Sequence, residues 1–354
     1  MTRKRQRVPI GVTAQRVGQI YGVLMDMEYH SFIQVGDIHV GECRSLANYL
    51  ARHESVLTQI MDIAYNSGLP LVITGDITNS KSTTYEERFL IDWWFSEIEK
   101  RKIPTVVITG NHDHLWGEVT QLDGLKMMPF KYVKIVTWHP DICVLGNIGV
   151  ICIPWRGYKT EEINKIVSEK IPLLSNCEYR VVMLHECIAG MKADSGKIIP
   201  TGTAIPNVPE IDYWAVGDIH KFQMTNVSNG YYSGAPAQYK FDDTLPKGLL
   251  RVDLKHPSKE PVLIPLMFKP LKTVSSVEEI TEDAYYRIVG NYEEIIKANN
   301  DPMVVKTEYD DSQERTIVYE RVGICEGLPE FLATKGINED TQQRAVAWVT
   351  DLLK

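Results

Sequence analysis

The 354-residue sequence predicts an α/β fold built around a largely parallel sheet that helices cover on both faces. Short, continuous apolar runs alternate with helical stretches from Ser31 onward, and such runs are typical of strands buried on both faces. Several runs end in Gly-Asp or Gly-Asn, where the chain must turn sharply off the strand. The apolar and charged fractions, 44% and 24%, are those of a globular protein.

Three strands separated by two helices open the pattern. The apolar runs that predict these strands are residues 32–35, 71–73 and 105–108. Apolar residues at helical spacing over residues 46–64 predict the first helix, which Gly68 ends. Thr83 and Thr84 each precede a glutamate by three residues, which predicts a capping box for a second helix running to about Lys102.

The remainder of the chain is richer in strands. The predicted elements are strands at residues 134–138, 142–145, 149–153, 180–184 and 213–216, a helix at residues 160–174 and a hairpin turn at residues 256–258. Pro270 marks a domain boundary, which gives an N-terminal extension (1–30), a main domain (31–270) and a C-terminal module (271–354). Helical spacing between Ala14 and Leu24 makes a short helix one interpretation of the extension. An amphipathic helix with Trp348 and Leu352 on its apolar face is predicted near the end.

Charge is unevenly distributed along the chain. The net charge of -8 lies in residues 271–354, which hold 9 basic and 17 acidic residues, whereas residues 1–270 hold 29 of each. A neutral body with an acidic module is not typical of a protein that binds nucleic acid unaided. We expect no membrane partner, because no apolar run is long enough to cross a bilayer. The six cysteines form no C-x-x-C pair and no signal peptide is evident, which favours the cytoplasm.

Five of the apolar strands end in residues that can bind a metal ion. These residues are Asp37 with His39, Asp76, Asn111, His185, and Asp218 with His220. In open α/β sheets, sites form at the carboxyl ends of strands, where the loops diverge. Carboxylates, imidazoles and an amide without any thiol predict a site for divalent ions such as Mn²⁺, Fe²⁺ or Zn²⁺, and not a structural zinc site. Each motif alone is weak, since a lone strand histidine is more often a core residue, but the whole succession predicts a metal site.

This series, Asp-x-His, Gly-Asp, Gly-Asn-His-Asp, His and Gly-x-x-His, resembles the calcineurin-like metallophosphoesterases. Within that superfamily it is most similar to the SbcD-type DNA-repair nucleases and their phage counterparts, over residues 32–254. The resemblance implies a four-layer αββα sandwich with a smaller C-terminal α+β cap module. It also implies two divalent cations, with Mn²⁺ expected and Mg²⁺ as the alternative.

The resemblance assigns roles to particular side chains. It implies that one cation is held by Asp37, His39, Asp76 and His220, and the second by Asp76, Asn111, His185 and Asp218. It makes His112 a catalytic histidine beside the scissile phosphate, and Asp113 the residue that orients His112. Two cations about 4 Å apart polarise phosphoryl oxygens and generate a hydroxide nucleophile. An imidazole nearby can protonate the leaving alkoxide.

Two positions depart from the pattern of the family. Asp218 stands where the last motif, usually Gly-His-x-His, has its first histidine, and this hard oxygen ligand favours Mn²⁺ or Mg²⁺. Asn79 stands where many of these nucleases have a histidine, so we expect the rate and the strand preference to differ while the metal site stays intact.

The function implied is a metal-dependent DNA nuclease that works with an SbcC-like coiled-coil ABC ATPase, and the resemblance also implies a homodimer. The acidic module would cap the active site and its last helix would bind the ATPase. A protein phosphatase is less consistent, because it would carry Asp-Arg-Gly and Gly-Asn-His-Glu where this chain has Thr78-Asn79-Ser80 and Gly-Asn-His-Asp. A small-molecule or cyclic-nucleotide phosphodiesterase stays an alternative. A scaffold without activity is disfavoured because every ligand position is filled.

Overall fold

A computed structural model of the protein describes residues 27–46, 48–243, 246–298, 301–309, 332 and 338–352. The chain divides into two compact units, with the division between Leu271 and Lys272. The helix considered near Ala14 lies outside the described residues. Within the described part of the chain, no helix combines the length and the apolar character that crossing a membrane requires.

The first unit contains fourteen described strands and four described α-helices. The strands are β1 Ser31–Val35, β2 Leu71–Ile73, β3 Thr105–Ile108, β4 His114–Trp116, β5 Val119–Thr120, β6 Val133–Val136, β7 Asp141–Leu145, β8 Ile148–Ile153, β9 Tyr179–His185, β10 Tyr213–Gly217, β11 Gln223–Met224, β12 Gly230–Tyr232, β13 Gly248–Asp253 and β14 Val262–Pro265. The helices are α1 Tyr49–Ser67, α2 Tyr85–Lys100, α3 Asp123–Lys126 and α4 Thr160–Lys170, the last followed by a 3₁₀ turn, Ile171–Leu174.

Two six-stranded mixed sheets form the centre of this unit. The first has the order β14-β13-β1-β2-β3-β6, in which β1, β2, β3 and β6 are parallel and β13 runs antiparallel to β1 and β14. The second has the order β11-β12-β10-β9-β8-β7, with a parallel centre and antiparallel strands at both edges. The parallel strands therefore deliver their carboxyl ends to one edge of each sheet.

Three layers of buried apolar side chains hold the sheets and helices together. One layer joins α1 and α2 to the first sheet, with Ile60 and Trp94 among its fully buried members. A second lies between the sheets, where Phe32 and Val106 pack with Met183. A third joins α4 to the second sheet. The expected four-layer αββα sandwich is confirmed, because each sheet buries one face against the other and one face against helices.

The helix ends follow from local chemistry. Thr84 caps α2 with a complete capping box that includes Glu87, as predicted. Gly68 ends α1 in the left-handed conformation, with φ of 63°. The predicted helix over residues 160–174 ends earlier, at Lys170, and continues as a 3₁₀ turn. Pro172 accounts for this difference, because its ring removes a backbone donor and clashes with the preceding helical turn.

From β15 (Leu271–Val274) onward the chain mixes strands and helices. The further described elements are a 3₁₀ turn at Val277–Glu279, β16 Tyr285–Gly290, α5 Tyr292–Ala298, β17 Val304–Tyr309 and α6 Glu339–Leu352. Strands β15, β16 and β17 form one sheet in that order. The terminal helix, predicted near Asp340 to Leu353, is present at Glu339–Leu352. The side chains of Trp348 and Leu352 lie outside the described part of the structure.

Candidate metal centre

The seven predicted ligand residues meet at the carboxyl ends of β1, β2, β3, β9 and β10. Asp76 lies at the centre, with its Oδ2 3.5 Å from Nε2 of His39 and 3.5 Å from Nε2 of His185. His185 Nε2 is also 3.1 Å from Oδ1 of Asn111 and 3.8 Å from Oδ1 of Asp218. The first sheet supplies three strand ends and the second supplies two, so the site bridges the carboxyl ends of both sheets.

The backbone at the ligands adopts conformations that side chains other than glycine rarely take. Asp37, His39 and Asp76 have positive φ angles of 52°, 47° and 52°, and Asp218 has one of 106°. Such conformations cost on the order of 1–3 kcal/mol each and concentrate at functional sites. They are held by hydrogen bonds between motifs, such as Asp37 N to Gly75 O at 3.0 Å and His39 N to Asp76 O at 2.9 Å.

Two glycines allow the strand ends to approach one another. A Cβ atom on Gly110 would lie 2.6 Å from the backbone nitrogen of Asp76, and a Cβ atom on Gly75 would lie 2.7 Å from the backbone nitrogen of Gly110. Neither backbone atom can move away cheaply, because each belongs to the turn that presents a ligand. The glycines of the second and third motifs are therefore required by packing at this site.

Burial and mutual repulsion perturb the ionisable groups of the site. Burial raises the pKa of Asp37 to about 8, and the carboxylates of Asp76 and Asp218 act in the same direction. Burial lowers the pKa of His39 to about 3. Burial also disfavours charge on Asp76 and His185, but their mutual attraction prevails, so the pKa of Asp76 is lowered and that of His185 is raised well above its ordinary value.

The side chains fit divalent cations. Oδ2 of Asp37 is buried and has no hydrogen-bond partner within the described residues, a costly arrangement that a cation would relieve. Nε2 of His39 lies 2.9 Å from Nε2 of His220, so the two nitrogens converge on one point. Three groups of side chains place ligand atoms within 4.8 Å of one another, namely Asp37-His39-His220, His39-Asp76-His112 and Asp37-Asp76-His185. Because these groups overlap at Asp37, His39 and Asp76, the residues fit a pair of neighbouring ions.

His112 lies against this cluster. Its backbone nitrogen donates to Oδ1 of Asp76 at 2.9 Å, and its ring centroid is 4.7 Å from that of His39. Nδ1 of His112 donates to the backbone carbonyl of Asn79. This bond fixes the ring and places the proton of the neutral imidazole on Nδ1, so Nε2 is the nitrogen left for the site.

Asp113, which we expect from the sequence to orient the ring of His112, makes its hydrogen bonds to other groups. The carboxylate of Asp113 accepts hydrogen bonds from the backbone nitrogen and hydroxyl of Thr78, at 2.9 and 3.0 Å, and from the nitrogen of Gly110 at 2.9 Å. Within the described residues none of its bonds reaches the ring of His112. Asp113 fixes the backbone of the turn, and Asn79 orients the ring. Asn79, which stands where many of the similar nucleases have a histidine, thus acts through its backbone carbonyl.

Other orienting groups have no counterpart among the residues predicted from the sequence. Nδ1 of His185 contacts the carbonyl of Thr74 at 2.6 Å. Asp194 accepts the backbone N–H of His220 at 3.0 Å, and its other oxygen lies 3.2 Å from Nδ1 of the same residue. Lys247, itself buried, donates to the carbonyl of His220 at 2.6 Å. No local motif marks these residues, because each meets its histidine only through the tertiary fold.

Residues 30–222 match the calcineurin-like phosphoesterase family over more than half of the chain. The chain belongs to this family. Members are phosphoester hydrolases with a dinuclear divalent metal site. The strand-end side chains described above provide the candidate ligands for that site.

Individual proteins also resemble the chain. A subunit of the nuclease SbcCD of Staphylococcus epidermidis is 24% identical over 290 residues, which cover 75% of this chain and 74% of that protein. The uncharacterised metallophosphoesterase YhaO of Bacillus subtilis is 21% identical over 159 residues, 45% of this chain and 38% of its own length. The crystal structure of TT1561 of Thermus thermophilus aligns with a TM-score of 0.43 and 11% sequence identity. The alignment covers 67% of this chain and 99% of the TT1561 chain.

Proposed function

We propose that the protein is a metal-dependent nuclease that hydrolyses phosphodiester bonds in DNA. The observation that carries this proposal is the similarity to a nuclease subunit over three quarters of both chains, well past the metal motifs. The strand-end cluster supports phosphoester chemistry in general, and the relative supports DNA as the substrate.

Each site residue has a specific role in this proposal. Asp37, His39, Asp76 and His220 hold one cation, and Asp76, Asn111, His185 and Asp218 hold the other. When bound, the two ions polarise the phosphoryl oxygens and lower the pKa of a coordinated water. His112, fixed through Nδ1 by Asn79, presents Nε2 to the scissile phosphate and in its protonated form donates to the leaving oxygen. Asp113 keeps the turn that carries His112 attached to Thr78. Because Asp218 adds a hard oxygen ligand, Mn²⁺ is the expected ion.

The surroundings of the cluster favour a diester over a monoester. A phosphomonoester dianion requires more cationic contacts than a diester monoanion. The position after Asp76 that binds the monoester in protein phosphatases holds Thr78 and Asn79 instead of arginine.

The proposal extends to partners. An SbcC-like coiled-coil ABC ATPase would add DNA-binding surface to the electrically neutral main domain, and the family resemblance adds a homodimer. Residues 271–354, which hold the entire net charge, would form the capping and partner-binding module.

A panel of substrates tests this function. The protein is loaded with Mn²⁺ and incubated with labelled single-stranded and double-stranded DNA, a phosphopeptide and a cyclic nucleotide. The proposal requires DNA to be cleaved far faster than the other two. Preferred hydrolysis of the phosphopeptide would indicate a phosphatase, and preferred hydrolysis of the cyclic nucleotide would indicate a small-molecule phosphodiesterase. Either result would contradict the proposed function.

A further inference from the structure

Arg156 is a surface arginine without an acidic partner among the residues that the structure describes. It is exposed, and within the described residues its guanidinium group has no ion pair with a carboxylate. Elsewhere in the described part of the chain, Arg44, Arg88, Arg101 and Arg287 each pair with a carboxylate. A guanidinium without an acidic partner is available to an external anion such as a phosphate.

Two aromatic rings hold this guanidinium in place. The guanidinium carbon of Arg156 lies 4.6 Å from the ring centroid of Trp138 and 5.8 Å from that of Tyr158. Both rings are only partly buried. Stacking on an aromatic face restricts the side chain, so less rotamer entropy is lost when a ligand binds it.

The three side chains lie beside the metal centre. The backbone nitrogens of Arg156 and Tyr158 donate to one carboxylate oxygen of Glu186, at 3.2 and 2.9 Å, and Glu186 directly follows the candidate ligand His185. The ring of His114, two residues after His112, has its centroid 5.0 Å from that of Trp138. The loops that carry these rings are therefore tied to the loops that carry site residues.

There is space for a ligand at this place. A pocket of about 430 Å³ is lined in part by Tyr158, Lys159, Glu186 and Thr203. The pocket combines an aromatic ring with a lysine and also has Glu161 and Glu186 in its lining, and Arg156 directly precedes its lining residue Gly157. An aromatic face with adjacent cations suits an unpaired nucleobase and its phosphate, because bases stack on aromatic planes and guanidinium groups bind phosphate.

We propose that Trp138, Arg156 and Tyr158 form a subsite for a nucleotide of single-stranded DNA next to the scissile phosphate. The base stacks on Tyr158 in the pocket, and Arg156, held by Trp138, donates to the adjoining phosphate. This inference rests on the proposed nuclease function and adds a strand preference to it. A paired base is already stacked within its duplex, so the subsite favours single strands.

Binding of a labelled oligothymidine, measured by fluorescence anisotropy with EDTA present to prevent cleavage, tests the subsite. Replacement of Tyr158 by alanine should weaken binding by about 5- to 150-fold, the range for loss of one stacked base. The wild type should bind a strand with one abasic position at the subsite more weakly than the intact strand. The Tyr158→Ala variant should bind both strands with equal affinity. Arg156→Ala should lower the slope of log affinity against log salt by about 0.7, the change expected for one lost contact to a single-strand phosphate.

Matched controls are Tyr85→Ala, which removes an exposed ring from α2, and Arg251→Ala, which removes an exposed arginine from β13. Neither should change affinity or salt slope. The subsite would be refuted if Tyr158→Ala and Arg156→Ala bound the strand as the wild type does. It would also be refuted if both variants merely had a lower melting temperature and the wild type bound the abasic strand as tightly as the intact strand. Failure of the nuclease function itself is distinguishable, because the wild type loaded with Mn²⁺ would then not cleave the strand in a separate assay, whatever its affinity in EDTA.

Discussion

The two halves of the metal centre are held in different ways. In the half at the first sheet, hydrogen bonds from backbone N–H groups join neighbouring motifs and fix the candidate ligands, such as His39 N to Asp76 O and His112 N to Oδ1 of Asp76. In the half at the second sheet, groups from elsewhere in the fold contact the ligands. His185 meets the carbonyl of Thr74 and His220 meets Asp194. The first half is therefore built by its motifs, whereas the second is correctly oriented only once the sandwich has assembled.

The largest effect should come from the residue that joins the halves. Asp76 contacts His39 on one side and His185 on the other, so Asp76→Ala should remove the shared ligand of both cations and reduce hydrolysis of labelled DNA to background. Asp62→Ala, a substitution in a surface ion pair, serves as the control. Near-normal turnover of the Asp76→Ala protein with Mn²⁺ would contradict a two-metal site.

A smaller loss is expected where the first half meets the substrate. His112→Ala should lower turnover by about 10²- to 10⁴-fold, the usual contribution of a general acid or base. The number of bound Mn²⁺ ions, measured by calorimetry, should stay the same. His256→Ala, which alters an exposed histidine paired with Asp253, is the matched control. Loss of one ion from the His112→Ala protein would instead show that His112 is a ligand, a role that its proximity to His39 and Asp76 allows.

The second half should be sensitive to its distant supports. Asp194→Asn keeps an oxygen that accepts the backbone N–H of His220 but removes the negative charge beside Nδ1, so Mn²⁺ affinity should fall by about 10- to 100-fold. Asp194→Glu should restore part of the affinity, and the surface substitution Asp62→Asn should change nothing. An Asp194→Asn protein with unaltered affinity would show that the second half needs no such support.

The smallest expected effect is the change of Mn²⁺ affinity with pH, which follows from the proton on Asp37. Burial raises the pKa of Asp37 to about 8, so the metal-free fold keeps a proton that the unfolded chain releases near pH 4. This contribution to stability is fully present below about pH 4, falls as the pH rises above that value, and is lost once the pH has passed through about 8. Because Mn²⁺ displaces this proton, its affinity should rise with pH below about 8, by up to about tenfold per unit for each proton. Calorimetry in buffers of different ionisation enthalpy measures how many protons are released when Mn²⁺ binds. Zero proton release at pH 7 would contradict the assignment of Asp37 as a ligand that is protonated in the metal-free fold.

The candidate ligands and the groups that orient them differ in how far the sequence predicts them. Strands β1, β2 and β3 and their terminal ligands are predictable, because apolar runs followed by Gly-Asp or Gly-Asn are local signals. The orienting groups are not, because they are distant in the chain. Thr74 lies 111 residues from His185, Asp194 lies 26 residues from His220, and the Asn79 carbonyl lies 33 residues from His112. A backbone carbonyl has no sequence signature, so only the tertiary structure can identify it.

The early end of α4 has a different explanation. Apolar spacing alone favours a helix to residue 174, and the pattern continues through the 3₁₀ turn at Ile171–Leu174. The local effect of Pro172 on hydrogen bonding overrides that spacing. Here the deciding signal is present in the sequence, unlike the contacts that orient the second half of the site.

In the function that we propose, both halves together bind a pair of cations that makes the chain a DNA phosphodiesterase. The most direct test titrates metal-free protein with Mn²⁺ while bound metal and cleavage of a labelled DNA strand are measured on the same samples. Our expectation is that binding saturates at two ions per chain and that cleavage appears with the second ion. Full cleavage with one ion bound, or cleavage that persists after all metal is removed, would contradict it.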